Sequence, residues 1–201
     1  MIRVLIAEDQ ALLRQALADI LAREEDIEVV AQVGRGDEVI GAAERSRPDV
    51  ALMDIEMPGQ DGISVIDQLS GRFPACRALV LTVFNRPGYL RKALDAGAAG
   101  FILKDASPTD LATAIRRVAR GERVVDPGLA VAALADGENP LTAREQEILG
   151  LSDGGSTAGE VGQRLGISEG TVRNHLSVAI QKMQARTKTE AARTAREKGW
   201  L

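Results

Sequence analysis

Short apolar runs alternate with helical patterns along the first 121 residues of the chain. The apolar runs cover residues 2–7, 27–33, 50–53, 78–81 and 100–103. Their β-branched content is typical of strands that are buried on both faces. Segments with helical periodicity lie between them, at about residues 11–22, 37–45, 62–71, 87–97 and 108–120. This alternation predicts a doubly wound α/β domain with a five-stranded parallel sheet and right-handed crossovers.

The rest of the chain changes character twice. Two turn-forming sequences, Asp126-Pro127-Gly128 and Asp136-Gly137-Glu138-Asn139-Pro140, bracket an Ala/Val/Leu segment that is long enough for one short helix. Residues 141–201 have helical patterns only. We therefore predict a domain at residues 1–121, a linker at 122–140 and a small all-helical domain at 141–201.

Five polar residues follow the ends of the predicted strands: Glu8, Asp9, Asp54, Thr82 and Lys104. The carboxyl ends of parallel strands meet at one edge of a sheet, so these side chains should lie together. Clustered carboxylates repel one another unless a cation lies among them, and a site rich in oxygen suits Mg²⁺, which also binds phosphate oxygens. Asp54 is then either a metal ligand only or a nucleophile that accepts a phosphoryl group.

At these residues the chain resembles the receiver domain of two-component response regulators. The acidic pair is followed by Asp54 with Met57-Pro58-Gly59 and Gly62, then by Thr82, and finally by Lys104 with Asp105. The resemblance implies that Asp54 is the phosphoacceptor and that Lys104 contacts the phosphoryl group. It implies that Mg²⁺ is held by Glu8, Asp9, Asp54 and the backbone carbonyl of Glu56. Thr82 and Phe101 match positions that report phosphorylation to the opposite surface. In this family a small residue usually follows the switch threonine. Val83 is bulkier, so we expect it to narrow access to the phosphoryl site.

A helix-turn-helix pattern lies in the last third of the chain. Thr142 is a predicted N-cap, and Glu145 completes a capping box three residues later. A helix up to Leu165, a turn at Gly166-Ile167-Ser168 and a second helix from Glu169 follow. Two helices joined by a short turn that contains glycine form this motif, and its second helix enters the DNA major groove.

The predicted second helix has two faces. The inward positions are Val172, Leu176 and Ile180. Arginine can bind guanine with two hydrogen bonds and asparagine can bind adenine, so Arg173 and Asn174 are predicted to contact bases. Thr171 and Lys182 are placed to contact phosphates. The full set of predicted DNA-contacting residues is Glu169, Thr171, Arg173, Asn174, Ser177 and Lys182.

This segment resembles the LuxR-type helix-turn-helix of the NarL/FixJ family of response regulators. The matching residues are Leu141-Thr142, Arg144-Glu145, Glu160-Val161, Leu165 and the run from Ile167 to His175. The resemblance implies a further helix at about residues 189–198 that takes part in dimerisation. Gly159 and Gly162 depart from it and are each expected to weaken the first helix of the motif by roughly 1 kcal/mol. The tail at residues 191–201 is similar to regulators of membrane-lipid desaturation.

Composition and charge reduce the number of protein classes to which the chain can belong. The net charge is −4, but residues 141–201 carry nine basic and seven acidic groups, which weakly favours a polyanionic partner. Apolar runs fall short of the roughly 18 residues that span a bilayer, so membrane insertion is not expected. Cys76 is the one cysteine, which excludes an intramolecular disulfide and suits a reducing cytoplasm. We expect this thiol to be inert. His175 is the one histidine, which excludes a site assembled from several histidines.

These features predict a cytoplasmic, phosphorylation-dependent transcription regulator rather than an enzyme. Its expected partners are a sensor histidine kinase, double-stranded DNA and a second copy of the chain after phosphorylation. Two alternatives stay open at this point. One is a constitutive DNA-binding dimer with an unresponsive receiver. The other is a Mg²⁺-dependent phosphatase that forms an aspartyl phosphate and then hydrolyses it.

Overall fold

The structure is a computed structural model that describes residues 1–82, 87–125, 127–128, 130–131 and 139–201. The chain forms two compact units, and each is described by itself. Val83 and most of the predicted linker helix lie outside the described residues, so the expectations attached to them stay predictions. Among the described residues, no helix combines the length and apolar character needed to cross a bilayer.

The first unit is built on a parallel sheet. Its strands are β1 (Ile2–Ala7), β2 (Ile27–Val33), β3 (Val50–Met53), β4 (Arg77–Thr82), β5 (Gly100–Leu103) and β6 (Val124–Val125). Their order across the sheet is β2-β1-β3-β4-β5-β6, and all pairs are parallel. The α/β fold class is confirmed, but the described sheet has six strands instead of the predicted five. The sixth strand is two residues long, which is too short for a periodicity to reveal it.

The helices of the first unit connect the strands as the alternation predicted. They are α1 (Ala11–Leu21), α2 (Gly36–Ser46), α3 (Gly62–Arg72), α4 (Pro87–Asp95), which belongs to this unit from Leu90 onward, and α5 (Pro108–Ala119). Ser107 caps α5 by accepting a hydrogen bond from the Asp110 N–H, and Pro108 occupies the first turn. One core cluster joins β1, β3 and β4 to α1 and α5. The central strands are buried on both faces, which explains their unbroken apolar sequences.

Cys76 precedes β4 and is buried. Burial raises the pKa of the Cys76 thiol to about 12, and the charge of Asp49 acts in the same direction. The thiol is therefore neutral near pH 7, whereas the reactive form of cysteine is the thiolate. This environment supports the expectation of an inert cysteine.

The second unit is all helical in its described part. Its helices are α6 (Ala143–Asp153), α7 (Ala158–Leu165), α8 (Glu169–Lys182) and α9 (Lys188–Glu197). The predicted capping box of Thr142 and Glu145 is present at the start of α6. A second capping box, of Thr157 and Glu160, starts α7. Trp200 packs against the cluster formed by α6, α8 and α9, so its fluorescence will report the unfolding of this unit.

Gly162 allows α7 to approach the turn that precedes α8. A Cβ atom at this position would lie 2.7 Å from the carbonyl oxygen of Ile167, closer than real Cβ atoms come to backbone atoms. The N–H of Ile167 also donates a hydrogen bond to the Gly162 carbonyl at 2.9 Å. The intrinsic cost of this glycine is therefore offset by a close backbone contact that a side chain would block.

Candidate functional site

The predicted acidic residues meet at the carboxyl end of the sheet. Glu8 and Asp9 follow β1, and Asp54 follows β3. One carboxylate oxygen from each of these three residues lies within 4.8 Å of the other two. Glu8 and Asp54 are buried, whereas Asp9 is exposed. Three hard oxygen donors at this spacing, open to solvent on one side, fit a Mg²⁺ ion that retains some of its water.

Lys104 brings a positive charge into the acidic cluster. Its Nζ lies 2.7 Å from Glu8 Oε2 and 2.9 Å from Asp54 Oδ2. The Lys104 side chain is only 5% exposed, and its backbone N–H donates to the Thr82 carbonyl at 2.7 Å. The residue after β5 thus places an ammonium group between two carboxylates that follow β1 and β3.

Burial and charge shift the pKa values of these groups. Burial raises the pKa of Glu8, and the nearby Asp54 charge raises it further; Lys104 counteracts these effects only in part. Burial lowers the pKa of Lys104, but its hydrogen bonds to Glu8 and Asp54 outweigh burial and raise the pKa above the usual value. Lys104 therefore remains a cation at neutral pH and favours the ionised form of its partners.

Backbone contacts fix the position of Asp54. Its N–H donates to the Ala7 carbonyl at 2.9 Å, and its Oδ1 accepts from the Ile55 N–H at 2.7 Å. Gly62, the first residue of α3, donates to the Ile55 carbonyl at 2.8 Å. A Cβ atom on Gly62 would lie 2.2 Å from the Asp54 carbonyl oxygen. The start of α3 can therefore approach the residue after β3 only if position 62 has no side chain.

Arg14 contributes a contact that the sequence pattern did not predict. Its Nη1 donates to the backbone carbonyl of Glu8 at 2.6 Å, across the first turn of α1. Gln10 donates its backbone N–H to Glu8 Oε1 at 3.3 Å. These contacts hold the segment that carries Glu8 and Asp9. The only sequence signal for Arg14 is its position five residues after Asp9, in the first turn of the predicted helix that begins at residue 11.

The three remaining predicted receiver residues are Thr82, Phe101 and Glu56, and the Thr82 carbonyl accepts a hydrogen bond from the Lys104 N–H. Thr82 is the last residue of β4 and is buried, and Phe101 is fully buried in β5. Glu56 is exposed two residues after Asp54, and the role of its backbone carbonyl as a metal ligand stays a prediction. The structure thus places Thr82 beside Lys104, while the switching role of Thr82 and Phe101 stays a prediction.

The predicted DNA-contacting residues lie on α8. Ser168 caps the helix by accepting from the Thr171 N–H at 3.1 Å. Val172 is fully buried, and Leu176 and Ile180 are half-buried in the core of the second unit. The exposed members of the predicted set are Glu169, Arg173, Asn174, Ser177 and Lys182, whereas Thr171 is half-buried. The two-faced pattern of this helix is therefore present in the structure.

Comparison with known families covers both units. Residues 4–116 match the family described as "Response regulator receiver domain". Residues 139–195 match the family described as "Bacterial regulatory proteins, luxR family". The chain belongs to the LuxR-type response regulators. This response regulator therefore combines the receiver and the helix-turn-helix that its two sets of motifs resemble.

Full-length relatives of this response regulator are transcriptional regulators by name. It is 47% identical to the uncharacterized transcriptional regulatory protein YvfU of Bacillus subtilis (strain 168), over 100% of both chains. It is 41% identical to the transcriptional regulatory protein DesR of the same organism, again over 100% of both chains. These relatives confirm the predicted class of transcription regulator.

Solved structures share the architecture of this response regulator. The Salmonella typhimurium RcsB response regulator matches with a TM-score of 0.70 and 25% identity, over 98% of this chain and 100% of that one. A structure described as the RcsB-DNA complex matches with the same TM-score and identity, over 98% of both chains. The response regulator ChrA, from a heme-sensing two-component system, is 32% identical with a TM-score of 0.59, over 100% of this chain and 98% of that one.

Lys182 has a partner inside its own unit. Its Nζ lies 3.0 Å from Glu145 Oε1 and 2.8 Å from Oε2. Glu145 is buried, and its Oε2 also accepts from the Thr142 N–H at 2.8 Å. Burial raises the Glu145 pKa, but the hydrogen bond from Lys182 and that from the Thr142 backbone outweigh it and lower the pKa overall. The contact of Lys182 with a DNA phosphate stays a prediction, and the structure shows a competing structural role.

We expect Lys182→Met to destabilise the helical unit by about 1–3 kcal/mol, because the buried Glu145 carboxylate loses a charged donor. Urea unfolding followed by Trp200 fluorescence will measure this change. Because the folded pKa of Glu145 is lowered, the ion pair stabilises above the unfolded pKa of Glu145. This stabilisation is lost as the pH falls through the folded value, so the difference between variant and wild type should narrow in acid.

Arg164→Met is the matched control, since Arg164 is exposed on α7. It should change the free energy of unfolding by no more than about 0.5 kcal/mol. If Lys182→Met leaves unfolding unchanged and instead reduces the salt dependence of DNA binding, Lys182 is a phosphate contact and the structural role is wrong.

Proposed function

We propose that this response regulator is controlled by phosphorylation of Asp54, with a sensor histidine kinase as the donor. The observation that carries the proposal is the position of Lys104 between Glu8 and Asp54, with the Asp9 carboxylate beside them. A lone nucleophilic carboxylate at this position would repel the negatively charged phosphoryl group. The Lys104 ammonium offsets that repulsion and is held by two contacts before the phosphoryl group arrives.

The transfer is a displacement at phosphorus. One Asp54 carboxylate oxygen forms a bond to the phosphorus atom while the bond from phosphorus to the kinase histidine nitrogen breaks, so the histidine keeps the bonding electrons. Oδ1 is held by the Ile55 N–H and Oδ2 by Lys104, which fixes the plane of the carboxylate. Mg²⁺, held by Glu8, Asp9, Asp54 and the Glu56 carbonyl, would neutralise part of the charge on the phosphoryl oxygens.

Phosphorylation then changes the partners of two residues on neighbouring strands. The phosphoryl group adds negative charge and acceptor oxygens next to Asp54. Lys104 exchanges a carboxylate contact for one to the phosphoryl group, and Thr82, the last residue of β4, would donate its hydroxyl to the same group. We propose that Thr82 and the buried Phe101 pass this change to the surface of the first unit, where it promotes homodimer formation.

Dimer formation would couple phosphorylation to DNA binding. Two helix-turn-helix units joined in one dimer can occupy two half-sites, and linkage raises the local concentration of the second unit without any new base contact. The exposed face of α8, with Arg173 and Asn174, would enter the major groove. A cytoplasmic location follows from this proposal, because kinase and promoter DNA are both reached there. A role in membrane-lipid desaturation stays a prediction.

Light scattering of the full chain tests the switch. Wild type, Asp54→Asn and Asp67→Asn are each measured with Mg²⁺, before and after addition of beryllofluoride, which mimics a phosphoryl group on aspartate. Asp67 is exposed on α3, so its variant is the matched control. We expect the mass of wild type and of Asp67→Asn to double, while Asp54→Asn stays a monomer.

Other results distinguish the alternatives. A dimer in all three proteins before and after the addition, with unchanged DNA affinity, would favour the constitutive DNA-binding dimer. Steady release of phosphate from small phosphate esters by wild type but not by Asp54→Asn would favour the phosphatase. Either result contradicts the proposed switch.

A further inference from the structure

An ion pair joins two exposed residues in the first turns of α8. Glu169 Oε1 accepts hydrogen bonds from Arg173 Nε at 3.0 Å and from Arg173 Nη2 at 2.5 Å. These two N–H groups lie on the same side edge of the planar guanidinium. The end edge, formed by one N–H from each Nη, is not used by Glu169. Arg173 is therefore held by its side edge, and its end edge, which can also bind guanine bidentately, is left for DNA.

The second carboxylate oxygen of Glu169 lies close to another helix. Its Oε2 lies beside Gly159 in the first turn of α7, 3.7 Å from the place that a Cβ atom of residue 159 would occupy. Backbone N–H groups in the first turn of a helix carry partial positive charge, which favours a nearby carboxylate. The Glu169 carboxylate thus lies between the start of α7 and the Arg173 guanidinium.

The pair does little for the stability of the fold. The side chains of Arg173 and Glu169 are 71% and 51% exposed, and exposed pairs four residues apart on a helix contribute weakly to stability. Its main physical effect is to restrict the directions in which the long Arg173 side chain points. A side chain that is already restricted loses less conformational freedom when it binds.

We infer that Glu169 is a positioning residue that sets base specificity through Arg173, an inference that rests on the proposed DNA-binding function. Glu169 holds the side edge of the guanidinium and presents the end edge to the O6 and N7 atoms of a guanine. Its negative charge also disfavours the competing arrangement, in which Arg173 binds a backbone phosphate of any sequence. Glu169 therefore lowers affinity for DNA in general and preserves affinity for DNA with guanine at one position.

Selection from a duplex library with a randomised segment tests this inference, using the full chain with Mg²⁺ and beryllofluoride. Selection with wild type and with Arg173→Ala identifies the guanine whose enrichment depends on Arg173. Affinities are then measured for the selected duplex, for the same duplex with that base pair changed, and for poly(dA-dT), which contains no guanine. Wild type should prefer the guanine by about tenfold.

Three variants separate positioning from charge. Glu169→Ala should lose most of the tenfold preference and should bind poly(dA-dT) more tightly than wild type does. Glu169→Gln keeps an acceptor oxygen for the side edge of Arg173, so it should retain most of the preference but also bind poly(dA-dT) more tightly. Glu147→Ala is the matched control, because Glu147 forms an exposed ion pair with Arg144 in the same unit. It should retain the full preference.

The outcomes are distinct. If Glu169→Ala keeps the guanine preference of wild type, the positioning role is wrong while the DNA-binding function stands. The same conclusion follows if wild type selects a sequence but no guanine depends on Arg173. If wild type binds no duplex at all, both this inference and the proposed function are overturned. Trp200-monitored unfolding of each variant should match wild type, since every changed side chain is exposed.

Discussion

Gly62→Ala is expected to destabilise the receiver by about 3 kcal/mol and to abolish dimer formation with beryllofluoride. The added Cβ atom would lie 2.2 Å from the Asp54 carbonyl oxygen and 2.9 Å from the Ile55 Cα, and neither backbone atom can move without displacing the Asp54 side chain. The Gly62 N–H also holds the Ile55 carbonyl, so moving α3 away would break that hydrogen bond. Urea unfolding followed by far-UV circular dichroism will measure the loss of stability.

Gly71→Ala is the matched control for this substitution. Gly71 lies near the end of the same helix, and a Cβ atom there would meet no atom within 4 Å. Alanine is favoured over glycine in a helix, so this variant should gain up to about 1 kcal/mol and should still dimerise. Gly62→Ala and Gly71→Ala thus add the same methyl group to the same helix and differ only in the atoms that surround it. Equal effects of the two variants would contradict a specific contact between Gly62 and the Asp54 backbone.

Lys104→Met is expected to have the second large effect, and Mg²⁺ should reverse part of it. Without the ammonium group, the buried Glu8 and Asp54 carboxylates lose their shared partner, which should cost about 3 kcal/mol in the absence of Mg²⁺. A divalent cation can take over the role of Lys104 in reducing the repulsion. Mg²⁺ should therefore stabilise the variant more than it stabilises wild type, as measured by urea unfolding with and without the ion.

Arg45→Met controls for the loss of a positive charge from the receiver. Arg45 is exposed at the end of α2, next to Ser46, whose carbonyl accepts from Arg3 at the start of β1. It therefore lies at the edge of the sheet opposite the acidic cluster. The free energy of unfolding of Arg45→Met should be close to that of wild type, and Mg²⁺ should stabilise both proteins equally. If Mg²⁺ stabilises Lys104→Met and wild type equally, Lys104 does not compete with the cation for the carboxylates.

The sequence predicted the acidic cluster because its position follows from a simple rule. Residues that follow parallel strands meet at one edge, so identifying the strands before Asp54 and Lys104 was enough to predict their proximity. The same holds for α8, where the spacing of Val172 from the later apolar residues identified the inward face. In both cases a local period determines the direction of a side chain, and that period can be read from neighbouring residues.

Contacts between distant segments were not predictable in the same way. The partner of Lys182 is Glu145, 37 residues earlier, and no period connects the two positions. Arg14 reaches a backbone carbonyl, which every residue possesses, so the sequence offers no chemical signal for this contact. The intrinsic propensity of Gly162 indicated only a weakened helix, whereas its close approach to the Ile167 carbonyl depends on how two helices pack.

The two-residue strand β6 determines where the receiver can be separated from the rest of the chain. Val124 and Val125 pair with Gly100 and Phe101 on the outer side of β5. A fragment that ends where the helical pattern stops, at Gly121, would leave those β5 backbone groups unpaired along an open sheet edge. Such an edge is a template for strands from other molecules. A truncated receiver should therefore extend beyond Val125, because a shorter one carries a site for self-association that the intact chain covers with its own backbone.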